Sequence, residues 1–431
     1  MQLLKKRYSF ALFFLLYFGY TVSNFTVASS QVAVNEAVVV IEDRTELQTY
    51  LKEALKQVFV KTSGNKDVLR HPSIERSISN YEQYLISSRT QQNDDQLVLT
   101  ATFNKQRIIN LLDNLQLPVW SQLRPSAIVW FGYRDGNGFN YASENNLVPF
   151  GQAVGMAANK RGVELLIPVG DIEDSRRVTG YDVWSQNVSR LVQQSSRYRT
   201  DNFISLSLSQ VETAEIESVN NQRLEEYQLR LMTAQNVIDD AAASEKPSDD
   251  NAQDDVIFEG LEDNRTNDSQ SGDMLERISR PELVPMDADL RLDFVIVTSN
   301  GTVTGQLFGS DPGVLLDQLV DKYADDLASR FAIVSAPQQS TSTIGVTFQN
   351  ITSIKRLSQV ESLLDTNPMV RSVDLVKQQG AVSSFAVEII DDADKLVEML
   401  TIDERVRANK AQAETGGEDD DLEQLSFRWV P

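Results

Sequence analysis

Three carboxylates crowd one turn of this chain, in Pro168-Val-Gly-Asp171-Ile-Glu173-Asp174. The apolar run Val163-Glu-Leu-Leu-Ile-Pro-Val169 leads into it and reads as a core strand. Acids so spaced have two chemistries open to them: they can flank a divalent cation, or divide the work of a general acid and a general base. The position suits either, because ligands of open α/β sheets bind beyond the carboxyl ends of the strands. The same residues also make an acidic capping turn, and their neighbours favour that reading. Arg161, Arg176, Arg177 and Arg197 lie near in sequence or on the adjoining helix, more cations than a solvated loop requires. Arg197, in Ser195-Ser-Arg197-Tyr198 at a helix end, complements the helix dipole and is placed to pair with these acids. Asp171, Glu173, Asp174 and Arg197, with Trp184 as the nearby aromatic, therefore form a structural or ligand cluster, with no catalytic residue assigned.

Other reactive arrangements are thin. His71 is the single histidine, in Leu69-Arg-His-Pro-Ser73 just before a helix, so a loop role is expected. Thr62-Ser-Gly-Asn65 ends a helix and lacks the Lys-Ser/Thr pair of a phosphate loop. Tyr133-Arg-Asp-Gly-Asn-Gly138 reads as a hairpin turn in which Asp135 would repel phosphate, and no Gly-x-Ser-x-Gly elbow is present. Trp120, Trp130 and Trp184 could form a sugar or peptide platform, but a core or seam role is expected of them. No metal and no cofactor is called for.

Composition narrows the setting. Lys5, Lys6 and Arg7 precede the apolar run Phe10–Tyr20, and Ala28, Ser29 and Ser30 follow. That order is a secretory signal over residues 1–30, which implies export, with a membrane tether if the signal stays uncleaved. The net charge is −22 with the three leader cations included. Such acidity speaks against nucleic acid and strong binding to anionic membranes, both of which need positive charge. With 0 cysteines there is no disulfide framework, so stability must come from apolar cores.

The elements that would position these residues fall into three parts. Residues 31–123 predict an N-terminal β-α-α-β-α domain: a strand over 31–42, a helix capped by Asp43 with Glu46 and closed at Gly64, a helix over Ile74–Ile86, a strand over Leu97–Phe103 and a helix capped by Asn104. Residues 124–336 predict a layered α/β domain with strands at Ala127–Phe131, Val163–Val169 and Asn202–Leu208, a helix capped by Asp182, and a strand near Tyr227–Met232. An acidic loop over 236–288 interrupts it. Twelve acids against Lys246 and Arg265 between Asp239 and Asp273, with no apolar period, predict disorder there. Leu290–Val297 and Val303–Phe308 then form a hairpin at Asn300-Gly301, and Asp311-Pro312 opens a helix. Residues 337–431 predict a ferredoxin-like β-α-β-β-α-β domain, its last helix opened by Asp391 and an acidic spacer over 408–423 preceding its last strand.

Taken in order, Val60-Lys-Thr-Ser-Gly-Asn65, Trp120 with Arg124-Pro125, Arg161-Gly162 with Pro168 and Asp171-Ile-Glu-Asp174, Asp182-Val-Trp184, Ser196-Arg-Tyr198 and Arg428-Trp-Val-Pro431 form a pattern. It resembles the domain of unknown function 2066 family of exported gamma-proteobacterial proteins. The resemblance implies compartment and lineage and no mechanism. The middle domain resembles at fold level the α/β domains of periplasmic accessory proteins. The expectation is a non-enzymatic periplasmic accessory or adaptor protein of the cell envelope, with a protein partner of unknown identity. The alternatives are a small-molecule or lipid-binding module and a carboxylate-dependent hydrolase of envelope glycan.

Overall fold

In a computed structural model, residues 33–93, 96–136, 138–146, 148–200, 202–244, 279–334, 341–390, 392–409 and 424–430 are described. The expected signal over 1–30, the acidic stretch 245–278 and nearly all of the expected 408–423 spacer lie outside them. The described residues form a mixed α/β structure with four sheets and eleven α-helices. The chain divides into two compact units, Met1–Ser207 with Asp293–Gly305 and Leu316–Pro431, and Leu208–Leu292 with Gln306–Leu315.

The first unit opens with β1 (Glu36–Ile41), α1 (Leu47–Ser63), α2 (Pro72–Ser79), β2 (Leu85–Asn93), β3 (Gln96–Phe103) and α3 (Lys105–Asn114). Its sheet runs β1-β3-β2, all antiparallel. Alternation along the strands sends Ala37 and Ile41, and Leu99, Ala101 and Phe103, to one face. The apolar stripe Leu51, Ala54, Leu55, Val58 and Phe59 of α1 packs on that face. The expected β-α-α-β-α order lacks β2. The helix predicted to reach Ile86 stops at Ser79, where Asn80 N–H turns back to the carbonyls of Arg76 and Ser77. β2 escapes sequence reading because Ser87-Ser-Arg-Thr-Gln-Gln-Asn93 is an edge strand without apolar alternation. The Asp43–Glu46 capping box is also replaced: Asp43 accepts from Thr45 N–H and caps a 3₁₀ turn, Arg44–Glu46, ahead of α1.

The chain continues through β4 (Val119–Trp120), β5 (Ser126–Asp135), β6 (Gly138–Tyr141), α4 (Val148–Arg161), β7 (Glu164–Leu166), α5 (Ile172–Arg177), α6 (Gly180–Trp184), α7 (Val188–Ser195) and β8 (Asn202–Gln210). β9 (Leu290–Thr298) and β10 (Gly301–Gly309) complete a sheet of order β10-β9-β8-β5-β6, with β7 also on β5. β5 runs parallel to β7 and β8 and antiparallel to β6. The strand predicted over Val163–Val169 pairs only at Glu164–Leu166, since Pro168 has no N–H to give and Gly170 turns at φ +73°. The helix predicted from Asp182 is two helices. Thr179 caps α6 with Asp182 as the third residue of a capping box, and Asn187 caps α7.

The second unit contains α8 (Thr213–Ser244), which replaces the strand expected near Tyr227–Met232 and overruns the start of the expected loop at 236. Alternating residues in Tyr-Gln-Leu-Arg-Leu-Met imitate a strand, whereas Ile216, Asn220 and Ala234 recur at helical spacing and are buried. The far end of the expected loop is anchored as well: Val284 and Ala288 join Val211 and Ile216 in a small core. Asn220 brackets the Val284 peptide, donating to its carbonyl at 3.0 Å and accepting from its N–H at 2.7 Å.

Helix α9 (Pro312–Phe331) is capped by Asp311, which accepts from Gly313 and Val314 N–H, and from Leu316 on it belongs to the first unit. It leads through β11 (Ala332–Ile333), paired with β4, to a sheet of order β13-β14-β12-β16-β15. These strands are β12 (Ser342–Gln349), β13 (Val370–Gln379), β14 (Val382–Ile389), β15 (Val406–Ala408) and β16 (Gln424–Trp429). β12 lies antiparallel to β14 and parallel to β16. Helices α10 (Ile354–Asp365) and α11 (Ala393–Thr401) carry Val360, Leu363, Leu364, Leu396, Met399 and Leu400 into its core. Asp392, rather than Asp391, caps α11, through Asp394 N–H; Asp391 itself lies outside the described residues.

Candidate functional site

The Asp171–Asp174 turn is assembled from three consecutive elements. Asp171 caps α5, its Oδ1 accepting from Glu173 and Asp174 N–H at 3.0 Å each. The sequel to α7 is a 3₁₀ turn, Ser196–Tyr198, that carries Arg197 and Tyr198 back over the cap. Arg197 Nη1 donates to Asp171 Oδ1 at 2.7 Å and Asp174 Oδ1 at 2.8 Å, while Nη2 reaches Asp171 Oδ2 at 2.5 Å. Asp174 is wholly buried at 0% exposure. Its Oδ1 also accepts from Gln194 Nε2 at 2.8 Å, and its Oδ2 accepts from Gly170 N–H at 2.9 Å and the Tyr198 hydroxyl at 2.6 Å. Tyr198 in turn accepts from Val169 N–H at 2.9 Å.

The electrostatics follow from this geometry. The Arg197 guanidinium, with the backbone N–H of Asp174, holds the Asp171 carboxyl far below the ordinary aspartate range. Asp171 in return raises the pKa of Arg197. Burial, and then the hydrogen bond to Asp174, pushes the Tyr198 phenol up. A carboxylate has about four acceptor positions, and four donors occupy those of Asp174. No lone pair is left for a substrate or a cation. Glu173 stays at the surface, 3.3 Å from Arg177 and 3.8 Å from Arg197. Of the four arginines near the turn in sequence, Arg197 is the one that locks it.

Trp184 does not join this cluster. It packs on Phe139 with ring centroids 5.6 Å apart. Trp130 lies beneath the lock, donating to Ser195 Oγ at 3.0 Å, its ring 6.4 Å from Tyr198. Trp120 is buried elsewhere in the same unit, so the three tryptophans make no common platform. His71 accepts from Ser73 N–H as the cap of α2. At Tyr133–Asp135 the chain lies on β5, which pairs antiparallel with β6, Asp135 standing opposite Gly138. Among the described residues no group of three His, Cys, Asp or Glu is placed to hold a metal ion.

A second polar site went unread in the sequence. Lys61, Arg124 and Arg161 are each almost fully buried where α1, α4 and the segment after β4 meet. Lys61, 1% exposed, donates to Glu36 O at 2.7 Å and Asn159 Oδ1 at 2.9 Å. Arg124 lies over the Trp120 ring at 3.7 Å and donates to the carbonyls of Ser121, Lys61, Arg161 and Gly162. Arg161, expected near the acid turn, instead pairs with Asp321 at 2.8 Å and Asp325 at 2.6 Å and donates to Gly64 O. Burial, and secondarily Arg124, lowers the Lys61 pKa to about 7. Burial, and secondarily Arg161, lowers that of Arg124 to about 9. Two glycines permit the close approach. Gly64 turns at φ +75°, and a Cβ there would stand 2.5 Å from Ala328 Cβ; Gly162, at φ +64°, would meet Arg124 Nη1 at 2.7 Å. Segments holding Lys61, Arg124 and Arg161 each stand in the sequence pattern without being joined there; the local sign of burial is Lys61, three residues after Val58 on the buried face of α1.

Comparison with known proteins gives one match. A family model described as "Domain of unknown function (DUF8605)" matches residues 28–121, which contain β1 to α3 and end just past β4. The resemblance to the domain of unknown function 2066 family is thereby corrected: the matching family is a different one, likewise without assigned function. No curated protein and no solved structure matches the chain.

Proposed function

We propose that this chain is a non-enzymatic accessory or adaptor protein of the bacterial cell envelope, exported by the leader around Phe10–Tyr20 and engaging a protein partner. The observation that carries the proposal is the outward face of α8. Leu229 and Met232 are 65% and 64% exposed one helical turn apart, and Val237 follows on the same helix. Neighbouring exposed apolar side chains on a helix are the kind of anchor an apolar groove of a partner takes up. The most acid-rich turn is committed to holding α5 against the Ser196–Tyr198 turn, which supports a non-catalytic reading. In this reading residues 337–431 form a ferredoxin-like module, with β12, α10, β13, β14, α11 and β16 as its β-α-β-β-α-β order and β15 as an added edge.

Photocrosslinking in intact cells tests this. A benzoylphenylalanine at position 229 or 232 is expected to give one adduct of constant mass, lost when the other position is changed to Glu. Absence of any adduct, with full complementation of a deletion strain by the Leu229→Glu, Met232→Glu double variant, would sink the adaptor reading.

A further inference from the structure

The seam around Lys61 is built for an uncharged amine. Nζ has two neighbours, Glu36 O and Asn159 Oδ1, and both are acceptors. A neutral amine satisfies its two N–H groups there in full. An ammonium carries a third donor, for which the described residues offer no acceptor. Nor does any carboxylate among the described residues lie within 4 Å of Lys61 or Arg124.

The charged groups facing the amine sharpen this. Arg124 lies against it from the segment after β4. From α4 come Arg161, already paired, and Lys160, which turns away to Asp317. From α9 come Asp321 and Asp325, both taken by Arg161, with Lys66 also on Asp321. From β1 comes Glu36, whose backbone carbonyl, not its carboxylate, accepts the bond. With Lys61 neutral, Arg161 and Lys66 already share Asp321 and Asp325, and Arg124 has carbonyls alone as partners. A charge on Lys61 would have no carboxylate in contact; the pull of the Glu36 carboxylate is outweighed by burial and by Arg124.

We propose that Lys61 is a proton-sensitive latch between the β1–α1 module and α4: uncharged, it closes this joint, and taking up a proton loosens it. The latch is independent of the adaptor reading. When the joint opens, water reaches the amine and restores its ordinary pKa of about 10.4. The open form therefore holds more protons than the closed form between that value and about 7. Within this window the joint tightens as pH rises. Below about 7 both forms are protonated and the dependence levels off.

Amide hydrogen exchange of the full chain from about pH 6 to 9.5 tests the latch. Rates are divided by the intrinsic base-catalysed rate at each pH. The reporters are Gly64 and Gly162, whose N–H groups bond Val60 O and Asn159 O at the joint, with Thr366 in α10 as control. Protection at the two glycines is expected to be flat below about pH 7 and to climb above it by up to about tenfold per pH unit, the limit for one linked proton. Thr366 is expected to stay flat. Lys61→Met is expected to lower protection at the glycines and abolish its pH slope. A flat wild-type profile, or the same slope in Lys61→Met, overturns the proposal. If the variant does not fold, lysine ¹³Cε NMR of the wild type decides. A Lys61 midpoint below about 9 supports the latch, and an ordinary midpoint near 10.4 overturns it.

Discussion

Asp174→Asn isolates the acid–arginine lock at the cost of one atom. The amide keeps a carbonyl for Arg197 and Gln194 but turns an NH₂ toward Gly170 N–H and the Tyr198 hydroxyl. The hydroxyl can rotate and accept. The Gly170 N–H cannot, and it is left facing a donor in a dry site. Each hydrogen bond to a charged group is worth about 1.5–3 kcal/mol net. Removing one partner of a buried ion pair costs about 3–5 kcal/mol. Arg197 keeps Asp171, which places the loss near the lower bound, about 3 kcal/mol. Urea unfolding followed by tryptophan emission reads this out, because Trp130 sits 6.4 Å from Tyr198 and reports on the lock directly. A loss under about 0.5 kcal/mol, the range of ordinary surface substitutions, would refute the reasoning. A gain in stability with loss of cellular function would be worse for it, since that is the signature of a working acid.

Further outcomes are expected. Gly64→Ala places a Cβ at φ +75° and 2.5 Å from Ala328 Cβ; a loss of about 2–4 kcal/mol in a denaturant melt is expected from strain and overpacking together. Phe427→Ala empties a fully buried ring stacked 5.3 Å from Phe348 and should lower stability by about 3–5 kcal/mol by calorimetry. Asp171 is depressed in the folded state, so its contribution is complete above the ordinary aspartate pKa of about 3.9 and fades only as pH falls below it. The Arg197 side-chain N–H resonances should therefore persist from pH 7 to 5, and their loss above about pH 4.5 would contradict the pairing. Met232→Glu should move the melting free energy by no more than about 0.5 kcal/mol, because the side chain is exposed.

Legibility in the sequence followed the strength of local signals. Caps at Asn104 and Asp311 were readable because a side-chain oxygen ahead of an apolar period has few other uses. The β9–β10 hairpin was readable from Asn300-Gly301. β2 was not, since an edge strand needs no apolar face, and the helical identity of Tyr227–Met232 was hidden in a run whose alternation is accidental. At the acid turn the residue types were legible and the partner was narrowed to four arginines. Choosing Arg197 required knowing that α7 ends in a tight turn. The Lys61–Arg124–Arg161 seam was opaque for a different reason. Its three members are about 60 and 40 residues apart in the chain, and a buried lysine is rare enough that sequence priors assign it to solvent.

Arg124 raises the question of how a buried cation stays charged with no acid beside it. The carbonyls it binds answer this. Lys61 O belongs to the last turn of α1, and Arg161 O and Gly162 O close α4, so one guanidinium stands at the negative poles of two helices. Each pole carries roughly half an elementary charge. Together they amount to about one counterion made of peptide groups. Such a counterion has no proton to gain, so acid cannot neutralise it, and it lies where dissolved salt does not reach. It is also directional. The fork of a guanidinium can serve two helix ends at once, and the single ammonium of a lysine in its place could not. One side chain thus ties the ends of α1 and α4 together, beside the Lys61–Asn159 and Arg161–Gly64 bonds, and the two helices cannot part without uncovering it.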